Sequence, residues 1–316
     1  MIDTVDKIRG VLFGHAIGDA LGVSLEGWSK SQIRDKYPQG YSSYEQMDHF
    51  KRRRWEPGEW TDDTEQMLCI LNSILEKKTI NVKDIAKRIH HWAEDGGKGI
   101  GRTVASLVYS SGFTNDPYRS SKDLWERSRR SLAPNGGIMR TSVLGAWKYW
   151  DEREVIENAE TVCRITHWDP RCVGSCVAVS YAISVLLKGK EDVERIYQKV
   201  LTIMDSYDNR IRPSLELAQG SIPGLGLDGY DSMGYTLKAL SAGFWALLQA
   251  EDFKEGILTV INEGGDTDTN GAVAGALLGA KLGFSSISEK YVSGLLKKAF
   301  LEDKIEKFLS LIASQN

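Results

Sequence analysis

A chain of 316 residues is long enough to bury a large core, as one domain or as two modest ones. Its formal net charge of −3 gives no global electrostatic reason to expect nucleic acid or an anionic membrane as partner. The four cysteines, Cys69, Cys163, Cys172 and Cys176, lack the paired C-x-x-C spacing of a zinc or iron–sulfur site and read as small core residues in a reducing compartment.

Asp3, Asp6 and Asp19 interrupt the N-terminal stretch, so no apolar leader is expected, and no run of about 18 apolar residues stands out as a membrane span. The expectation is a cytoplasmic, monomeric protein without membrane contact. In chain order, Asp3 with Asp6 caps a first helix, whose apolar positions Ile8, Val11 and Leu12 lead into Gly14 to Gly22. Asp19 lies there among small residues, where a carboxylate is costly unless something pairs with it. Glu26 follows, either further along the same helix or, given Gly22 and Gly27, in a loop. Residues 27–60 show no lasting periodicity and read as a long surface connection, a length uncommon without a function. Within it the basic run Lys51-Arg52-Arg53-Arg54 is flanked by Glu45, Asp48, Glu56 and Glu59, and reads as a solvated loop.

Trp60-Thr61-Asp62-Asp63-Thr64 opens a helix with apolar positions Met67, Leu68, Leu71, Ile74 and Leu75. Asp62 with Glu65 fits a capping box, but Asp63 is a second carboxylate that a cap does not require. A helix over 81–94 is capped by Asn81 and ends at Gly96-Gly97. Gly99-Ile100-Gly101-Arg102-Thr103 leads into the next, Asp116-Pro117 is a turn, and residues 120–132 are helical. Pro134-Asn135-Gly136-Gly137 breaks the pattern, leaving backbone N–H groups that suit an anionic oxygen or, equally, a plain turn. A helix over 141–150 stops at Asp151, which caps another. His167 and Asp169 sit in the turn before a helix that opens on Pro170, a pairing that is suggestive and no more. Helices over 171–187 and 191–206 precede a glycine-rich loop, 220–234, that reads as a lid or pocket wall. Residues 235–249 are apolar nearly all round and predict a buried helix. Helices over 252–262, from Ser286 and over 302–313 complete the chain, which reads as all-α with one core.

The turn Gly264-Gly265-Asp266-Thr267-Asp268-Thr269-Asn270 stands apart. Its glycines free the backbone, and an alanine-rich run follows in which Gly271, Gly275, Gly279 and Gly283 share one helical face, allowing a neighbouring helix to approach closely. Two aspartates in so apolar a setting repel unless a cation lies between them. An elaborate N-cap explains the same residues. If this turn faces Thr61-Asp62-Asp63, four carboxylates and several hydroxyls converge with no sulfur or imidazole, the donor set of hard divalent ions.

Gly18-Asp19-Ala20-Leu21-Gly22 with Glu26, Trp60 to Thr64, Asn135 to Arg140, His167 to Pro170 and Gly264 to Thr269 occur in the order seen in the ADP-ribosylglycohydrolase family. The chain resembles that family, which includes dinitrogenase reductase activating glycohydrolases and ADP-ribosyl-arginine and ADP-ribosyl-serine hydrolases, over nearly its whole length. The resemblance implies an all-α fold, a compact single-domain orthogonal helical bundle over residues 1–316, with a binuclear Mg²⁺ or Mn²⁺ centre at helix N-termini. It implies Thr61, Asp62, Asp63, Asp266, Asp268 and Thr269 as metal ligands, and Glu26 at the metal centre and distal ribose. By the same likeness Asn135, Gly136, Gly137 and Met139 surround the pyrophosphate and distal ribose, His167 lines the ADP-ribose pocket, and Asp19 belongs to the inner shell.

The implied activity is hydrolysis of the bond between ADP-ribose and a protein side chain, arginine by preference, with Glu26, Asp62 or Asp63 assisting proton transfer. Turnover of serine-linked or O-acetyl-ADP-ribose is the alternative, and a non-catalytic ADP-ribose-binding protein the second. The chain departs from some bacterial members at Gly99, which stands where they carry an aspartate in a D-x-G-x-T-like stretch.

Overall fold

Period-two patterns are missing from the sequence, and the computed structural model, which describes residues 2–315, holds helices, turns and two isolated β-bridges with no strand among the described residues. The helices in the first half are α1 (Thr4–Gly22), α2 (Lys30–Lys36), α3 (Asp62–Lys77), α4 (Val82–Glu94), α5 (Arg102–Val108), α6 (Pro117–Arg127) and α7 (Ser142–Ala146). Those in the second half are α8 (Glu152–Cys163), α9 (Pro170–Lys188), α10 (Val193–Met204), α11 (Ile211–Leu217), α12 (Thr236–Gln249), α13 (Phe253–Ile261), α14 (Thr267–Leu282), α15 (Glu289–Ser293) and α16 (Lys298–Ala313).

The seam between α1 and α14 organises the molecule. Both helices carry glycine at every fourth position, and the two backbones meet antiparallel along those faces. A methyl group in place of the Gly18 hydrogen would lie 2.0 Å from the Gly271 carbonyl oxygen, and one at Gly14 would lie 2.2 Å from that of Gly275. The reciprocal substitutions at Gly271, Gly275 and Gly279 meet the carbonyls of Gly18, Gly14 and Gly10 at 2.4, 2.0 and 1.9 Å. Close approach, expected of the α14 glycines, is therefore met by an equal set on α1. Gly283 is the exception, since it lies beyond the end of α14 and faces Asp6 and Ile2. At the far end of the seam the Thr267 hydroxyl donates to the Gly22 carbonyl at 2.6 Å, tying the start of α14 to the end of α1.

Around this pair lie α9 and α12, apolar on nearly all sides and mostly buried, and α13, which buries one face through Phe253, Ile257, Val260 and Ile261. Contrary to the expectation that no such run exists, α9 is long and apolar enough to cross a bilayer by length and composition; 94% of that window is buried inside the protein. The four cysteines are free and buried, as expected of small core residues.

Several boundaries differ from expectation for local reasons. Asp3 precedes α1 but makes no side-chain cap, and Asp6 instead accepts from the backbone and hydroxyl of Ser285. The 27–60 connection contains α2, opened by a capping box of Ser29 and Gln32; only Ile33 of that helix is buried, which leaves no periodicity to read. Asp116-Pro117 is a helix start rather than a bare turn, because Asp116 caps α6 and Pro117 occupies its first turn. The helix expected over 141–150 stops at Ala146, and α11 precedes the glycine-rich loop.

A candidate active site at two acidic helix starts

The starts of α3 and α14 point into one cavity of about 350 Å³, which Asp62, Asp63, Asp266, Asp268 and Thr269 line together with Glu26. The convergence rests on the turn before α14. Gly264 and Gly265 adopt φ of +81° and +83°, the left-handed region that favours glycine, and pack directly against the backbone of Trp28 and Leu227. Backbone bonds of 2.8 Å from Gly27 to Gly265 and from Gly265 to Trp28 fix the turn against the segment carrying Glu26. One β-bridge, Ser29 with Gly264, reinforces this contact, and the other, Pro134 with Tyr235, holds the Asn135-Gly136 loop on the opposite wall.

Thr61, not Asp62, is the N-cap of α3, its hydroxyl accepting from the Asp63 N–H at 3.3 Å. Glu65, expected to complete a capping box, instead accepts from the Trp60 indole at 2.9 Å and Lys297 at 2.7 Å. Asp19 is turned toward this helix start. Its two oxygens accept from the Thr61 N–H at 2.9 and 3.0 Å, the Thr64 N–H at 3.0 Å and the Thr64 hydroxyl at 2.6 Å. Asp19 therefore does not line the cavity but orients α3 from behind it. Burial raises its pKa to about 6, against the lowering effect of those hydrogen bonds.

Asp266 is the N-cap of α14 in position but makes no side-chain cap; its Oδ2 accepts from the Asn135 amide at 2.9 Å across the cavity. This weakens the plain N-cap explanation of the turn. Asn135, Gly136, Met139 and His167 line the cavity, whereas Gly137 is buried behind it against Cys163 and Cys176. His167 Nδ1 lies 2.7 Å from the Thr166 hydroxyl, within hydrogen-bond distance, and its Nε2 finds no partner. Asp169 is structural: it caps α9, pairs with Arg171 at 2.7 Å and accepts from Trp125 at 2.9 Å. Glu26 stands nearer the surface and pairs with Lys51 at 2.9 Å.

Burial foremost, and then mutual repulsion, shifts these acids. Asp62 is raised to about 7, with Asp19 and Asp266 adding to the effect, and Asp63 and Asp268 are pushed well above the ordinary carboxylate range. Asp63 Oδ2 and Asp268 Oδ1 are buried with no hydrogen-bond partner. Such oxygens are expensive unless something binds them. Among the described residues no group of three or more His, Cys, Asp or Glu side chains is gathered in ligating geometry. Asp62 is engaged by Gln66 at 3.1 Å, Asp266 by Asn135 and Glu26 by Lys51. The donor set, all carboxylate and hydroxyl with two unpartnered oxygens, fits a hard divalent cation.

Sequence reasoning left unassigned the walls formed by Arg102 and Thr103, whereas the loop expected as a lid or pocket wall does line the cavity, through Met233 and Gly234. The glycine-rich loop carried the available signal: Gly234 has φ of +74°, and a side chain there would meet Asp266 Oδ2 at 3.4 Å. Gly99 also lines the cavity, with φ of +95°, and a Cβ there would sit 2.6 Å from Asp62 Oδ1. A larger residue at Gly99 would therefore be strained in backbone and would crowd the Asp62 carboxylate. Hollows of about 560 and 680 Å³ elsewhere are larger but lie away from these carboxylates.

The family description "ADP-ribosylglycohydrolase" matches residues 1–316. The chain belongs to the ADP-ribosylglycohydrolase family. The ADP-ribosylarginine hydrolase of Serratia proteamaculans is 22% identical over 99% of this chain and 82% of its own length. The ADP-ribosyl-[dinitrogen reductase] glycohydrolase of Rhodospirillum rubrum is 25% identical over 92% and 90%. A solved structure titled "ADP-ribosylglycohydrolase-related protein complex" shares the fold with a TM-score of 0.77 at 24% identity, over 99% of this chain and all of that one. This ADP-ribosylglycohydrolase is therefore an enzyme, a hydrolase acting on ADP-ribose conjugates, with a compact all-α single-domain fold.

Proposed function

We propose that the enzyme hydrolyses the glycosidic bond between ADP-ribose and a protein side chain, with arginine as the preferred linkage. The observation that carries this reading is the meeting of two acidic helix starts, with buried, unpartnered carboxylate oxygens on Asp63 and Asp268, in a cavity also lined by Asn135, Gly136 and His167. An acid-rich cavity favours a cationic guanidinium as leaving group, and the Serratia relative's name supports the same linkage.

Thr61, Asp62, Asp63, Asp266, Asp268 and Thr269 would hold two Mg²⁺ or Mn²⁺ ions. Bound there, the ions supply Lewis acidity toward ribose hydroxyls and water. The Asn135–Met139 segment and His167 receive the diphosphate and distal ribose. Water oxygen bonds to the anomeric carbon as the bond to the side-chain nitrogen breaks. One water proton passes to a carboxylate, Glu26, Asp62 or Asp63, which returns it, directly or through solvent, to the departing nitrogen. The fixed negative charge favours the cationic character of the transition state.

A panel of arginine-, serine- and acetyl-linked ADP-ribose with excess Mg²⁺ or Mn²⁺, repeated with chelator, tests the reading. Fastest turnover of the arginine conjugate, lost with chelator, is expected. Turnover confined to the other linkages, or tight ADP-ribose binding without turnover, would replace this reading with one of its alternatives.

Lys51 provides a separate check. Its pairing with Glu26 is partly exposed, so Lys51→Met should change stability by less than about 1 kcal/mol. Removing its charge and freeing Glu26 should tighten Mn²⁺ binding a few-fold by calorimetry. Weaker Mn²⁺ binding would show that Lys51 holds Glu26 in its productive position instead.

A further inference from the structure

We propose that Arg140 is a positioning residue that fixes hydrogen-bond polarity on two sides of the cavity, so that His167 offers an Nε2–H donor to an oxygen of bound ADP-ribose. The inference deepens the reading above and rests on it for the ligand, but not for the polarity itself.

Arg140 is 0% exposed and among the described residues pairs with no carboxylate. Its Nη1 donates to Gln66 Oε1 at 2.7 Å, and its Nη2 donates to the Thr166 hydroxyl oxygen. A guanidinium can only donate. The Thr166 oxygen therefore accepts from Arg140; it could accept a second bond, but among the described residues its own proton has no acceptor other than His167 Nδ1, at 2.7 Å, so the hydroxyl donates there. Nδ1 must then carry a lone pair. Burial first, and the nearby Arg140 charge second, hold the His167 pKa well below its ordinary value, so the ring is neutral. A neutral imidazole accepting on Nδ1 carries its proton on Nε2.

Nε2 is the atom without a protein partner, on a side chain 3% exposed that lines the cavity. A Cβ built on Gly136 would come 3.0 Å from it, so the glycine keeps the approach open. The donor suits a phosphate or ribose oxygen and carries no charge. The other arm follows the same logic. Because Gln66 Oε1 accepts from Arg140, the Gln66 amide nitrogen faces Asp62 Oδ2 at 3.1 Å and donates to it. That bond leaves Asp62 Oδ1 turned toward Gly99 and the cavity.

The test is the ¹⁵N spectrum of the His167 ring at neutral pH, assigned by its loss in His167→Asn, together with calorimetric titration of ADP-ribose in excess Mg²⁺. Wild-type protein should show a protonated Nε2 and an accepting Nδ1. Thr166→Ser should preserve that pattern and the affinity. Thr166→Val, which cannot donate, should yield mixed tautomers and about tenfold weaker ADP-ribose binding. An Nδ1–H tautomer in the wild type, or a folded Thr166→Val unchanged in both ring shifts and affinity, would overturn the proposal. If Thr166→Val does not fold, the wild-type tautomer alone decides. An Nε2–H ring in a protein that ignores ADP-ribose would uphold the polarity and sink the functional reading.

Discussion

Asp268→Asn should lower turnover of ADP-ribosyl-arginine by about 10²- to 10³-fold, the scale on which removal of one preorganised charge at a reacting centre acts. The substitution keeps shape and removes one ionisable oxygen. Asp268 Oδ1 is buried, lines the cavity and has no protein partner, so nothing inside the fold depends on its charge. Stability of the ion-free protein should accordingly hold or rise, since a buried carboxylate repelled by Glu26, Asp266 and Asp63 is neutralised. Asp62→Ala should cost similar activity but also strand the Gln66 amide that donates to it. Steady-state kinetics with a urea melt in the presence of chelator separates the effects. Near-wild-type turnover by Asp268→Asn would remove the basis for placing chemistry at these helix starts.

Gly18→Ala should destabilise the protein by at least about 3 kcal/mol, at or above the upper end of ordinary overpacking. The added methyl would meet the Gly271 carbonyl oxygen at 2.0 Å, and two helical backbones, unlike flexible side chains, cannot step aside separately. Gly271→Ala should behave alike from the other side. Gly101→Ala is the control: nothing lies within 4 Å of the new carbon, and the change should stay within about 0.5 kcal/mol. A Gly18→Ala urea midpoint close to wild type would mean that the seam can open without loss. Because the seam ends at Gly22 and Thr267, Gly18→Ala should also weaken Mn²⁺ binding in whatever fraction remains folded.

The parts legible in the sequence were those written locally. Asp62-Asp63 and Asp266-Thr267-Asp268 announced themselves because charge is rare beside buried helices, and Gly264-Gly265 because the chain turns there. The glycine face of α14 was readable as a close approach, yet its partner was not, although Gly10, Gly14, Gly18 and Gly22 repeat at the same interval. Asp19 shows what distance hides. Its cost in an apolar helix was evident, but its hydrogen-bond donors lie 42 and 45 residues away, and only the fold brings them to it. Helix α2 escaped notice because a single buried side chain, Ile33, sets no period. The role of Arg140 was equally hidden, since Gln66 and Thr166 come to it from separate helical regions.

The stitch between Thr267 and Gly22 joins residues 245 apart along the chain. During synthesis the first helix leaves the ribosome long before its glycine counterpart exists, and it must wait with its narrow face uncovered. Fragments lacking residues 266–316 would thus carry only the Asp62–Asp63 half of the acidic centre and no mate for that face. Such long-range closure slows folding, and a chain cut short there lacks Asp268 and Thr269 of the cavity together with the tie that seats them.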